Sequence, residues 1–182
     1  MNGKLGISPK SVKRAKEKIR QITRRNRGVS LAKVIAELNS FLIGWLNYYR
    51  YAACRFELQR LDEWIRRKLR CYRLKQRKRG KAVADFLRRL GLPAYQAARI
   101  GSSEKGWWRL SNSPPVKKGL SNDWFSQQGL VSLVPRYDAL RHLRNRRIHP
   151  STYGGVGGRG REAPPTRFQA VAQAIFLKDA KQ

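Results

Sequence analysis

Acidic residues are scarce in this chain. Eleven Asp and Glu stand against 41 Lys and Arg in 182 residues, a formal net charge of +30. Such an excess repels itself and favours a polyanionic partner, nucleic acid first and an anionic membrane surface second. The scarcity also weighs against several chemistries. Asp62 and Glu63 form the single tight carboxylate pair, and adjacent residues on a helix point about 100° apart, so the pair is no metal site by itself. Two histidines, His142 and His149, have no third ligand nearby and make a poor metal site. Cys54 and Cys71 are the only cysteines and lack Cys-x-x-Cys spacing. They make neither a disulfide framework nor a zinc knuckle, and a reducing compartment suits them. No uncharged stretch is longer than Leu38 to Tyr49, well short of the roughly 20 residues of a membrane span. The first residues, MNGKLGISPK, have no apolar core behind their basic start, unlike a secretory signal. No Gly-rich phosphate loop is present. The expectation is a soluble, cytoplasmic protein with no cofactor, no metal and no membrane partner.

What the chain does have is helical periodicity. Ser8 and Pro9 suit a helix start. Val12, Ala15, Ile19 and Ile22 form an apolar stripe, and Lys13, Lys16, Arg20, Arg24 and Arg27 a basic stripe beside it, up to a stop at Gly28. Ser30 opens a second helix running to about Ala52. Its main stripe is Leu31, Ile35, Leu38, Leu42, Trp45 and Tyr49, widened by Val34, Phe41 and Tyr48. A third helix spans about Phe56 to Lys78. Leu61, Ile65, Leu69 and Tyr72 face inward with Trp64 beside them, and Arg66, Arg70, Arg73 and Arg77 line an adjacent face up to Gly80. Packing such a bundle is expected to leave both basic stripes outward. Trp45, Tyr48, Tyr49 and Trp64 read as core, Asn47 as a structural polar residue, and Asp62 as a helix-start or ion-pair residue.

A second block follows. Lys81 to Leu90 is a short helix closed by Gly91, and Pro93 opens another through Ala98. Loops with short helices then carry Ser113 and Ser121 as caps, and a last helix runs from about Pro135 to Leu143. Five glycines between Gly154 and Gly160 give the remainder the composition of a flexible linker, with FQAVAQAIFL as one further helical stretch. No segment alternates with period 2. The fold class is all-α: a three-helix bundle over residues 7–80, a small helical, loop-rich module over 81–143 and a tail over 144–182.

Three blocks, in order, resemble the maturase region of group II intron-encoded proteins. They are Gly44-Trp45-x-Asn47-Tyr48-Tyr49, then Leu61-Asp62-x-Trp64-Ile65-Arg66-Arg67-x-Leu69-Arg70, then Gly106-Trp107-Trp108-Arg109 with Ser111-Asn112-Ser113-Pro114. The resemblance covers roughly residues 7 to 143. In that family the region follows a reverse transcriptase and serves as its thumb, so a thumb-like bundle is implied. The family's Tyr-x-Asp-Asp metal-binding motif is absent from these 182 residues, and two-metal nucleotidyl transfer needs clustered carboxylates. A convincing His-Asn-His nuclease is also missing, because His142, Asn145 and His149 sit too close together. With Met1 just before the first thumb helix, the chain reads as a truncated or free-standing C-terminal piece.

The resemblance narrows the polyanion to structured intron RNA and implies a binder of that RNA rather than an enzyme. Phosphate contacts are expected from Lys13, Lys16, Arg20, Arg24 and Arg27, and from Arg66, Arg67, Arg70, Arg73, Arg77 and Lys78. Trp107, Trp108 and Arg109 are expected to supply stacking or shape contacts, one tryptophan packing while the other stays accessible. Two other readings are a thumb piece working with a reverse transcriptase on a separate chain, gripping template-primer duplex or other DNA, and an inert remnant of a mobile element.

Overall fold

The computed structural model describes the backbone of residues 6–146 and side chains as far as His142. Among the described residues there are nine helices and no strand, the expected all-α class. The expected tail beyond Arg146, with its FQAVAQAIFL stretch and His149, lies outside the described residues. No helix among them is long and apolar enough to cross a membrane.

Helix α1 spans Pro9–Ile22, with the Ser8 hydroxyl accepting from the Ser11 N–H at 3.4 Å. It ends six residues short of Gly28. Thr23 terminates it, its hydroxyl donating to the Ile19 carbonyl at 2.7 Å, a side-chain bond that competes with the helical ladder. Arg24 and Arg27 therefore leave the helix, and the basic stripe of α1 ends at Arg20. Arg27 becomes a clamp. It donates to the Ile22 carbonyl at 2.7 Å and meets both oxygens of Glu37 at 2.7 and 2.9 Å, holding the end of α1 against the next helix.

That helix, α2, spans Leu31–Tyr48, and the Ser30 hydroxyl caps it by accepting from the Lys33 N–H. Its buried line is Leu31, Val34, Ile35, Leu38, Leu42 and Leu46. Leu46, four residues after Leu42, takes the inward place expected of Trp45. Trp45 and Tyr49 pack at the margin, with ring centroids 4.9 Å apart. Tyr48 corrects the sequence reading: it is 78% exposed. Asn47 is exposed as well.

Helix α3, Arg55–Gln76, buries Leu58, Leu61, Ile65, Leu69, Tyr72 and Leu74. It stops because Lys78 takes a left-handed φ of 60°, costly for a residue with a Cβ. Gly80 begins the following helix instead of ending this one. Helices α4 (Gly80–Arg89) and α5 (Ala94–Gly101) cross at Gly80 and Gly101, where a Cβ on either would collide with the other's carbonyl oxygen. Short helices α6 (Trp107–Leu110), α7 (Pro114–Gly119) and α8 (Asn122–Gln127) follow. Ser121 caps α8 through the Trp124 N–H at 3.2 Å, while the Ser113 hydroxyl donates to the Leu110 carbonyl at 2.7 Å and does not cap α7. Helix α9 spans Leu133–Arg146.

One apolar cluster runs through these elements from Ile19 to Tyr137, and α3 contacts α2, α6 and α9. Cys54 and Cys71 are buried free thiols. Asp62, on α3, is buried and accepts the Leu133 N–H at the start of α9 at 2.9 Å, with Arg66 at 4.0 Å. It acts at the start of a helix, but not of its own. Burial pushes its carboxyl above the usual range, opposed by Arg66 and by the Leu133 and Val134 amides.

Asp62→Ala should lower stability to urea by about 1–3 kcal/mol, because it leaves buried amides unpaired. Asp62→Asn, which keeps an acceptor, should lose less. Equal losses for the two variants would show that the cap is not what Asp62 contributes.

Candidate nucleic-acid interface

The arginine stripe of α3 does not face solvent. Arg70 is 7% exposed, donates from Nε to the Leu120 carbonyl at 3.0 Å and lies 5.8 Å from the centre of the Phe125 ring. Arg73 and Arg77 stand over Phe86 of α4 at 5.0 and 4.3 Å. Arg66 is half-buried beside Asp62. The stripe packs α3 against the shorter helices, which corrects the expectation that bundle packing leaves it outward. A guanidinium is planar and weakly hydrated, so it stacks on rings at modest desolvation cost. Desolvation pulls Arg70 and Arg73 below the usual arginine value, and repulsion from Arg66 and Arg77, respectively, adds to it. Changing the four arginines together to Ala would unpack α3 from its neighbours as well as strip charge.

A second group of cations, Arg20 exposed and Arg67 and Lys68 half-buried, gathers where α1, α3 and α6 meet. Arg20 of α1 lies 5.6 Å from the Trp64 ring centre, and Lys68 lies 5.4 Å from the same ring. Lys68 is also 5.2 Å from the Trp108 ring, which Arg67 covers at 4.0 Å. The result is a ladder of alternating cations and indoles: Arg20, Trp64, Lys68, Trp108, Arg67. Arg25 closes one end, its Nη1 3.6 Å from the Cys71 sulfur, beside a cavity of about 260 Å³ that Thr23, Lys68 and Trp108 also line.

Local chain geometry sets Trp108 in place. Helix α6 is a single turn anchored by buried Leu110, with Trp107 packed against the core. Its neighbour, about 100° away around the helix, must then point outward, and Trp108 is 38% exposed. Its carbonyl accepts from the Ser111 hydroxyl at 2.7 Å and from Arg67 at 3.3 Å.

No acid forms an ion pair with this cluster. The ion pairs among the described residues are Arg27–Glu37, Arg55–Asp138, Arg66–Asp62 and Arg88–Asp85. None engages Arg20, Arg25, Arg67 or Lys68. The Nε of Arg67 is buried without a hydrogen-bond partner. Desolvation pulls the Lys68 ammonium below its usual value, and repulsion from Arg20 and Arg25 pulls it further. Trp64 and Arg67 also line a polar groove of about 570 Å³ between α3 and the α6–α8 region, whose walls include Arg60, Arg66, Arg70 and Lys117 against one acid, Glu63.

The remaining expected contact residues divide. Lys13 and Arg24 are exposed and Lys16 half-exposed, while Arg27 is engaged by Glu37. Lys78 is exposed beyond the end of α3, and Arg109 is exposed on α6, away from the ladder. Arg25, Arg60, Lys68 and Lys117 were not singled out by the periodicity, and Trp64 was assigned to the core. The Trp64–Lys68 spacing of four on a helix was the available signal. Among the described residues no group of three or more His, Cys, Asp or Glu is placed to hold a metal ion.

Lys68→Met keeps the stem and removes the charge. Its thermal midpoint should equal or exceed that of the parent, while the salt slope of polyanion binding should fall by about 1. A lower midpoint with unchanged binding would make Lys68 a packing residue only.

A comparison with curated proteins gives no match. A comparison with family models does: residues 12–91 match the group II intron, maturase-specific domain. The matched span holds most of α1, all of α2, α3 and α4, and with them Arg20, Trp64, Arg67 and Lys68. Over residues 12–91 the chain is thus similar to the group II intron, maturase-specific domain.

Proposed function

We propose that the chain binds structured group II intron RNA and assists its splicing, the RNA itself performing the chemistry. The observation that carries this reading is the cluster of Arg20, Arg25, Arg67 and Lys68, engaged by no ion pair and interleaved with Trp64 and Trp108. Four cations held together without an ion pair repel one another in the free protein. A row of phosphates relieves that repulsion and releases the RNA's counterions as it binds. The indoles and guanidinium planes offer faces on which unpaired bases stack. The groove alongside extends the phosphate path through Arg60, Arg66 and Lys117. Lys13, Lys16 and Arg24 supply outer contacts in this reading, and Arg70, Arg73 and Arg77 support the surface from beneath.

The thumb of a reverse transcriptase on a separate chain is a second reading. It has one observation in its favour: Tyr48 and Phe56, near the turn from α2 to α3, are largely exposed, as an apolar face meeting another protein would be.

Binding to the host intron RNA, an unrelated structured RNA and a template-primer duplex, each over a range of salt, tests these readings. Intron RNA should bind tightest, and splicing of its transcript at low magnesium should quicken on addition of the chain. Arg20, Arg25, Arg67 and Lys68 changed together to Ala should lower the slope of log affinity against log salt by roughly 3–4. Equal affinity for all three nucleic acids would reduce the chain to a generic polyanion binder and overturn the intron reading.

A further inference from the structure

A second recess lies beside the groove; the third sequence block supplies part of its wall through Arg109, Asn112, Ser113 and Pro114, while Tyr95 belongs to none of the blocks. It is a cleft of about 590 Å³ walled by α5, α6 and the start of α7, within the range of small-ligand sites. Tyr95 of α5 forms part of one wall and is 70% exposed. Its ring makes no aromatic or cation contact among the described residues, and its hydroxyl accepts from the Gln96 side chain at 2.8 Å. Arg99, Lys105 and Arg109 also line the cleft, and no acid does. The floor is apolar, from Ile100, Leu110 and the Pro114–Pro115 pair. Asn112 lines both this cleft and the cationic groove, so the two recesses are neighbours.

We propose that this cleft takes a single unpaired nucleotide of an RNA strand lying in the groove. The inference rests on the RNA-binding reading above. A duplex is far too wide for a recess of this volume, whereas one base turned out of its helix fits. Exposed bases are held by stacking on an aromatic ring and by hydrogen bonds at their edges. Tyr95 supplies the ring. Asn112 supplies an amide with both donor and acceptor at the mouth. Arg99, Lys105 and Arg109 supply charge for the phosphates on either side of the base. The shared wall at Asn112 gives the strand its route from groove to cleft, which a free nucleotide would not need.

The test uses the full chain and two hairpin RNAs of equal length, one fully paired and one carrying a single bulged 2-aminopurine. The bulged hairpin should bind roughly 5- to 100-fold tighter, the range expected of one stacked base, with a change in 2-aminopurine fluorescence. Tyr95→Ala should abolish that preference and leave affinity for the paired hairpin unchanged, while Tyr95→Phe retains both. Asn112→Ala should weaken the preference, and circular dichroism should show all three variants folded. Equal affinity of the parent for both hairpins would overturn the cleft and leave the RNA reading standing. A preference that survives both Ala variants would also overturn the cleft. Failure to bind either hairpin would overturn both readings. Adenosine monophosphate abolishing the preference at micromolar concentration would make the cleft a free-nucleotide site and overturn the tethered one.

Discussion

Arg70, Arg73 and Arg77 carry three positive charges into the contact between α3 and the shorter helices, and no ion pair of the described residues meets them there. What meets them is the face of Phe86, the ring of Phe125 and the carbonyl that closes α7. That contact is possible because a guanidinium spreads its charge over a plane and gives up water more readily than an ammonium. Helix α6 packs on α3 directly, and Arg67 holds Trp108 there by a hydrogen bond to its carbonyl and a stack on its ring. On α3 the arginines that periodicity marks are taken up by packing, whereas on α1 Lys13 and Arg20 remain exposed.

The few acids follow the same division. Glu37 holds the end of α1, Asp62 receives the start of α9, and Asp138 pairs with Arg55 at the start of α3. Each ties two segments distant in the chain. None is spent beside Arg20, Arg25 or Lys68. Three of the few carboxylates thus join chain segments and none pairs with Arg20, Arg25, Arg67 or Lys68, which keeps that cluster attractive to an anion.

Much of the architecture was legible in the sequence, because capping and apolar spacing act locally. Ser8, Ser30 and Ser121 cap as expected, and Leu61, Ile65, Leu69 and Tyr72 face inward. The departures have tertiary causes. Thr23 and Lys78 stop their helices before the glycines do, through a side-chain hydrogen bond and a left-handed φ that composition does not reveal. Tyr48 lies beside an apolar stripe yet faces out, since Leu46 already fills the inward line. For the candidate site, the motif tryptophans and Arg67 were visible. The inward turn of Arg70, Arg73 and Arg77 was not, because a stripe of arginines reads the same whether water or aromatic rings lie against it. Lys68 meets Trp64 on its own helix, but its second indole comes only with α6, some forty residues later in the chain, which brings Trp108 to it.

Gly80 and Gly101 bring the backbones of α4 and α5 into direct contact, each occupying the space a side chain would need on the other. Neither position can be relieved by trimming its partner, since the obstacle at each is a carbonyl oxygen. The pair therefore seats α5, which carries Tyr95, directly on α4 with no side chain between, and α4 is held to α3 through Phe86 and its two arginines. Two absent methyl groups thus let α5 lie closer to α4 than any side chain would permit, and the Tyr95 wall stands where that approach puts it.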